Sequence, residues 1–280
     1  MPELPEVESV RRLLERTLRG HKIVGVEAVA DKIVWGPHEP EEVVRALKDA
    51  KVKGAGRKGK FFWLELDRRP WLCGHFGMSG WIREIGGRES RLKEHGNAPI
   101  ADEEGRPRFL KLLIEAESGI RIAYTDGRRL GRLWLCDDPL KDERIQKLGP
   151  DALLEMPEEK QFFELIRRRN APIKAVLMDQ AMMSGVGNWI ADEVLYHARM
   201  APKRLGSSLK PGETKKLRRT ILKILEQAVE VDADFERFPE NWLFHHRWGG
   251  KRGKQEIGGK KIVREAVGGR TTAWVPSVQR

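Results

Sequence analysis

The chain opens Met-Pro-Glu-Leu-Pro-Glu, and two of its first residues could do covalent chemistry. The small second residue favours removal of Met1, which would leave Pro2 with a free secondary amine. An α-amino group has a reference pKa of about 8, so part of it is unprotonated and nucleophilic at neutral pH. A secondary amine attacking an aldehyde-like carbon gives an iminium ion. That ion keeps its positive charge and is an electron sink for elimination. Glu3, next in sequence, is placed to act as the partnering acid or base. Proline is also common at a helix start, and these two residues alone do not separate the roles.

Other candidate residues sit on short loops. Gly56-Arg57-Lys58-Gly59-Lys60-Phe61 puts three cations on a turn entering a strand, a generic phosphate-binding arrangement or a solvated turn. Gly74-His75-Phe76-Gly77-Met78-Ser79-Gly80 displays a Met between glycines, as core filler or as a wedge between bases. In Thr125-Asp126-Gly127-Arg128-Arg129-Leu130-Gly131, Arg128 could meet the hydrogen-bonding edge of a base and Leu130 could act as a wedge. A plain surface turn with Asp126 paired to an Arg is the other reading. Asn188 follows Ser184-Gly185-Val186-Gly187 and is expected to cap a helix whose amides could hold a phosphate. Arg270 follows Gly268-Gly269 near a hairpin tip, within reach of a DNA backbone or groove. His245, His246, Arg247, Lys251, Arg252, Lys254, Lys260 and Lys261 make its surroundings basic.

These loops need elements to hold them. Val7, Val10, Leu13, Leu14 and Leu18 recur at helical spacing, which predicts a helix over 5–20 ended by Gly20. Strands are predicted over 60–66, 71–76, 109–115, 119–124 and 131–135, with a turn at Glu117-Ser118-Gly119. Many short strands after one helix suggest a β-sandwich. Residues 84–108 are polar and Gly-rich and read as a long excursion. Beyond Asp137-Asp138-Pro139 and Leu148-Gly149-Pro150 the pattern is helical over 157–169, 172–182, 189–198 and 211–229. The last stretch, 257–278, is β-type. The expected domains are 1–135, a linker over 136–150, a helical domain over 151–240 and a hairpin over 241–280.

Composition narrows the partners. The 280 residues carry 53 Lys+Arg against 42 Asp+Glu, a net charge of +11, and nucleic acid is the leading partner for such a surface. Hydrophobic residues at 40% are enough for a packed core. No apolar run approaches the roughly 20 residues that span a bilayer, and charges interrupt any signal-peptide core, so an intracellular location is expected. Cys73 and Cys136 read as buried thiols of a reducing compartment, not as a disulfide framework.

Each signal is modest alone, but their order is specific. Over nearly its whole length the sequence resembles the formamidopyrimidine-DNA glycosylase / endonuclease VIII family. The matching stretches are Pro2-Glu-Leu-Pro-Glu-Val-Glu, Gly59-Lys-Phe, His75-Phe-Gly-Met-Ser-Gly, Tyr124-Thr-Asp and Arg128-Arg-Leu-Gly. Leu148-Gly-Pro, Ile173-Lys, Leu177-Met-Asp-Gln, Gly185-Val-Gly-Asn and Ile190-Ala-Asp-Glu follow. The resemblance implies an α+β, two-domain fold: an N-terminal helix with a β-sandwich, then a helix–two-turn–helix domain with a finger-like hairpin. It implies Pro2 as nucleophile on the deoxyribose C1′, Glu3 as proton donor to the sugar, and Glu6 as a second catalytic carboxylate. Lys60 is implied in catalysis and phosphate binding, and His75, Asn188, Arg270 and Lys174 in phosphate or lesion-site contacts. Met78, Arg128 and Leu130 match the residues that fill the hole left by a flipped-out nucleotide.

Two departures shape the expected activity. The family finger normally holds zinc with four cysteines, but the corresponding positions fall near Gln255, Gly258, Val275 and Val278, none a thiolate. The hairpin is expected to hold by strand pairing and by packing of Ile257, Ile262, Trp274 and Val275, resembling the zincless finger of plant and fungal members. The stretch 229–242 is too short for the segment with which bacterial members cap 8-oxoguanine, and Leu130 replaces the family's usual Phe. The resemblance implies excision of formamidopyrimidines and hydantoins, weak activity on 8-oxoguanine, then β,δ-elimination. The expected partner is double-stranded DNA with oxidised bases or abasic sites. No metal, cofactor or membrane is expected, the chain is expected to be a monomer, and its location nucleoid or nuclear. A non-catalytic damaged-DNA-binding relative is the alternative.

Overall fold

The amphipathic stretch after Pro2 is helix α1 (Leu4–Leu18) in a computed structural model that describes residues 2–87, 106–248 and 255–280. Val7, Val10, Leu14 and Leu18 are buried along one stripe, and Gly20 follows the helix with φ 85°. The chain then runs through β1 (Ile23–Ala28), the short helices α2 (Lys32–Trp35) and α3 (Pro40–Leu47), β2 (Val52–Lys58), β3 (Phe61–Leu66), β4 (Trp71–His75), β5 (Trp81–Glu84), β6 (Leu110–Ala116), β7 (Arg121–Thr125) and β8 (Arg132–Cys136).

The strands form two antiparallel four-stranded sheets, ordered β1-β6-β7-β5 and β2-β3-β4-β8. Alternate residues point inward, as the period of two requires. Phe62, Leu64, Leu72 and Leu133 of one sheet share a buried cluster with Ile82, Leu112, Ile114, Ile122 and Tyr124 of the other, and Leu14 of α1 joins them. This is the β-sandwich expected from the sequence. Five of its strands fall within two residues of their predicted bounds, and Gly119, with φ 82°, turns the chain between β6 and β7. Patterning misses β1, β2 and β5. Glycine hides β2: Gly56 faces Trp63 across the pair, and a Cβ there would sit 2.2 Å from the indole.

Cys73 on β4 and Cys136 on β8 bring their thiols to 3.2 Å, a hydrogen-bonded contact and not a disulfide. Cys73 is buried as expected, whereas Cys136 is only half-buried. A 3-10 turn at Pro139–Lys141 and a single helical turn, α4 (Glu143–Gln146), follow. The first compact unit takes in everything up to Gln146, together with Asp232–Glu236 from later in the chain.

The second unit comprises Lys147–Val231 and Arg237–Arg280. It holds α5 (Glu159–Arg167), α6 (Ile173–Met178), α7 (Asn188–Ala198) and α8 (Pro211–Glu230). Helix α7 is buried nearly all round, with Trp189, Ile190, Ala191, Val194, Leu195 and Ala198 inside. The C-terminal stretch forms two hairpins where one was predicted: β9 (Glu256–Ile257) with β10 (Lys260–Lys261), and β11 (Val263–Val267) with β12 (Arg270–Trp274). Ile257, Ile262, Ala273 and Val275 pack with Leu243 in a small core. Trp274 stays half-buried, its indole donating to Glu265 Oε1 at 2.9 Å. Among the described residues no helix is long and apolar enough to cross a membrane.

Gly56→Ala tests the sandwich packing. Forcing a methyl against Trp63 is expected to cost about 1–3 kcal/mol in urea unfolding. An unchanged midpoint would contradict the close approach.

Candidate active site

Pro2 is buried immediately ahead of α1, and Glu3 is the helix N-cap. Pro5 occupies the first turn, where its missing N–H costs nothing. Glu6 Oε2 accepts the Glu3 N–H at 2.9 Å, closing a capping box. Glu3 is 2% exposed and Glu6 8%, so two carboxyl groups share a dry helix start beside Pro2. Burial, and next the nearby Glu3, push the Glu6 carboxyl up to about 7. At neutral pH Glu6 can therefore either give or take a proton.

A buried ion pair ties this helix to the loop carrying Lys60. Arg57 donates from Nε to Glu8 Oε2 at 3.0 Å and from Nη1 to the Gly59 carbonyl at 3.2 Å. Burial would raise the Glu8 carboxyl, but hydrogen bonds from Arg11 and Arg57 outweigh it and hold the group below its ordinary range. Lys60 follows on the turn and is itself buried. The β3–β4 register sets Phe61 opposite His75, with ring centroids 4.9 Å apart. Burial, then Lys60 and Arg132, push His75 down to about 4. Its Nδ1 accepts the Gly77 N–H at 3.0 Å, so the neutral ring presents Nε2–H as a donor.

Two loops abut at one end of the sandwich. A Cβ on Gly77 (φ 60°) would lie 2.1 Å from the Leu130 carbonyl oxygen, so the backbones touch. Asp126 is buried and organises both loops. Its Oδ1 accepts from Ser79 Oγ at 2.6 Å and from the Arg129 N–H at 3.0 Å, and its Oδ2 accepts the Gly131 N–H at 2.7 Å. The reading of Asp126 as the partner of an arginine side chain is thus replaced by a backbone-gathering role. Arg129 instead pairs with Asp31, at 2.9 Å. Among the described residues nothing holds the guanidinium of the neighbouring Arg128, which is exposed. Met78 and Leu130 are 38% and 41% exposed, unusual for apolar side chains so near a core.

In the second unit Gly187, not Asn188, is the N-cap of α7, and Asn188 is the first helical residue. Its Oδ1 is buried with no partner among the described residues. Arg270 begins β12 after Gly268 and Gly269, both at positive φ, and is exposed. Lys174 is wholly buried, its ammonium 2.6 Å from Asp192 Oδ1 and 2.7 Å from Thr272 Oγ1. That burial is at odds with the direct phosphate contact expected of it. Met1, Lys251, Arg252 and Lys254 lie outside the described residues, as do positions 88–105 of the polar excursion.

Residues 1–133 match the model of the formamidopyrimidine-DNA glycosylase N-terminal domain, and 148–239 match the H2TH domain of the same enzymes. The chain belongs to the formamidopyrimidine-DNA glycosylase family. A family member from Arabidopsis thaliana is 41% identical over 280 residues, covering all of this chain and 71% of that protein. One from Pelotomaculum thermopropionicum is 32% identical, over 100% of this chain and 99% of its own. The crystal structure of the Lactococcus lactis glycosylase, non-covalently bound to DNA containing an abasic site, superposes with a TM-score of 0.81 at 26% identity, covering both chains fully. Another structure of that enzyme, with DNA containing an oxidised pyrimidine, gives a TM-score of 0.79 at 26% identity, again over both chains. The sandwich and the helical unit are those of the formamidopyrimidine-DNA glycosylases.

Sequence reasoning overlooks Asp126 as loop organiser, the Glu8–Arg57 link and Asp192. Only Asp126 left a local signal, an Asp followed by amides that an Asx turn would gather. Among the described residues no three His, Cys, Asp or Glu side chains come together as a metal-binding group.

The raised Glu6 carboxyl makes stability depend on pH. Between about 4.5 and 7 Glu6 is protonated in the folded chain and ionised in the unfolded one, so its contribution is lost as pH rises through that window. Glu6→Gln is expected to flatten this slope and to be more stable than the parent at pH 8 by on the order of 3 kcal/mol, read as a higher unfolding temperature. Identical pH dependence in both chains would contradict the raised pKa.

Proposed function

We propose that this chain is a bifunctional DNA glycosylase and abasic-site lyase that removes oxidised bases from duplex DNA. One observation carries the proposal: in a member of this family, Pro2 directly precedes a capping carboxylate and lies beside a second carboxyl with a pKa of about 7. The chemistry needs Pro2 as the first residue, its secondary amine free. Its nitrogen attacks C1′ as the damaged base departs, and Glu3 protonates the ring oxygen so that the sugar opens as an iminium ion. That cation acidifies the C2′ hydrogens. Loss of one with the 3′ phosphate, then of a C4′ hydrogen with the 5′ phosphate, leaves a one-nucleotide gap, and water releases the proline. Glu6 carries protons between these steps.

Binding follows from the same layout. Lys60, the neutral His75, Asn188 and Arg270 hold phosphates, and Met78, Arg128 and Leu130 enter the space of the flipped nucleotide. The net charge of +11 makes affinity fall with salt. Formamidopyrimidines and hydantoins are the preferred lesions. The stretch after α8 supports this, because Ala233 is buried in the core of the first unit and Asp232 pairs with Arg12 at 3.5 Å. Chain held in this way is not free to close over 8-oxoguanine.

Borohydride reduction with abasic-site DNA tests the mechanism. A covalent adduct is expected with the parent chain, absent in Pro2→Gly, while Glu3→Gln is expected to lower the rate about 10²–10⁴-fold. No adduct from chain with a free Pro2 would favour a non-catalytic binder. Formamidopyrimidine duplexes are expected to be cleaved at least about tenfold faster than 8-oxoguanine duplexes, roughly 1.4 kcal/mol of barrier. Equal rates would contradict that preference.

A further inference from the structure

Lys174, Asp192 and Arg247 form a buried charge cluster within the second unit, and it ends on the backbone of Arg270. Asp192, on α7, has a side chain with no exposed surface. Its Oδ1 takes the Lys174 ammonium at 2.6 Å, and its Oδ2 takes Arg247 Nη2 at 3.0 Å and the Ala273 N–H at 3.1 Å. Lys174, on α6, also donates to Thr272 Oγ1 at 2.7 Å and to the Thr271 carbonyl at 3.3 Å. The Thr272 hydroxyl in turn donates a hydrogen bond to the Arg270 carbonyl at 3.2 Å. A continuous chain of donors and acceptors therefore runs from α7 through α6 to the residue at the hairpin tip. The tip is also seated by contact, since a Cβ on Gly268 would lie 2.8 Å from that of Ala175.

We propose that Asp192, acting through Lys174 and the Thr272 hydroxyl, is a positioning residue that sets the Arg270 backbone on the hairpin tip and so aims its side chain at DNA phosphate. This rests on the reading of Arg270 as a phosphate contact. A hairpin of two five-residue strands has little core of its own. A saturated buried ion pair fixes geometry where packing is thin, because each partner would be left uncompensated if the hairpin shifted. Lys174 is thereby a support for the DNA-binding tip, which accounts for a lysine buried beyond the reach of any phosphate.

Thr272→Val removes the hydroxyl while keeping size, and Thr272→Ser restores it; Asp192→Asn is the harsher second variant. Two measurements on the full chain decide. In DNA-free protein, hydrogen exchange of the amides over 267–274 is expected to speed up in Thr272→Val and Asp192→Asn but not in Thr272→Ser, with α1 and the sandwich strands unchanged. With an abasic-analogue duplex, Thr272→Val is expected to weaken binding about three- to tenfold. It should also lower the salt slope of affinity by about one, as Arg270→Ala does, and add nothing in the Arg270→Ala background. Unchanged exchange, or a Thr272→Val penalty that persists without Arg270, would overturn the proposal. Faster exchange with full affinity in both Thr272→Val and Arg270→Ala would overturn it too, and would place the error in the assignment of Arg270. Failure of the wild-type chain to bind the duplex would overturn it through the functional reading itself.

Discussion

Two carboxyl groups buried three residues apart cannot both ionise cheaply, and the helix start is built around that constraint. Glu3 and Glu6 cap the same turn, so neither can move away from the other without exposing unpaired amides of α1. Burial first, and then this repulsion, is met by protonation: Glu6 holds its proton up to about pH 7. A side chain that is half protonated at working pH is suited to moving protons in both directions. Removing water strengthens this coupling, and the burial of Pro2 with both carboxyls supplies that dryness.

The same economy of charge extends outward. Glu8, one turn from the cap, is the opposite case, a carboxylate kept ionised by Arg11 and Arg57 against its burial. Through Arg57 it connects α1 to the Gly59 carbonyl, so the helix that follows Pro2 and the Lys60 turn are tied by one ion pair. His75 is kept neutral by burial and by the cations around it. With Nδ1 accepting the Gly77 N–H, the ring offers Nε2–H as a donor of fixed tautomer and carries no charge of its own. In the second unit, adjacent carboxylates on α7 divide their work. Asp192 holds β12, while Glu193 accepts the Leu243 and Phe244 amides at 2.9 and 2.6 Å.

Much of this was legible in the sequence because it rests on local pattern. The heptad-like spacing after Pro5 and the alternation over 60–66 and 109–115 are local, and so were read within a residue or two. Loops bracketed by glycine, such as the one carrying Met78, were also found. What was missed depends on partners far away in the chain. Gly56 looks like a strand breaker until Trp63 is placed opposite it. Lys174 looks like a phosphate ligand until Asp192 and Thr272, 18 and 98 residues away, close over it. Asn188 differs for a smaller reason: the extended residue before the helix is Gly187, and caps shift by one where glycine can take that role.

The central claim is that the amine of Pro2, and no lysine, forms the bond to the sugar. Peptide mapping by mass spectrometry of the borohydride-reduced adduct measures this directly. The expected result is a reduced deoxyribose remnant on the N-terminal peptide, fragmenting with the mass added at Pro2. A remnant on Lys60 or Lys174, with an unmodified N-terminal peptide, would contradict it.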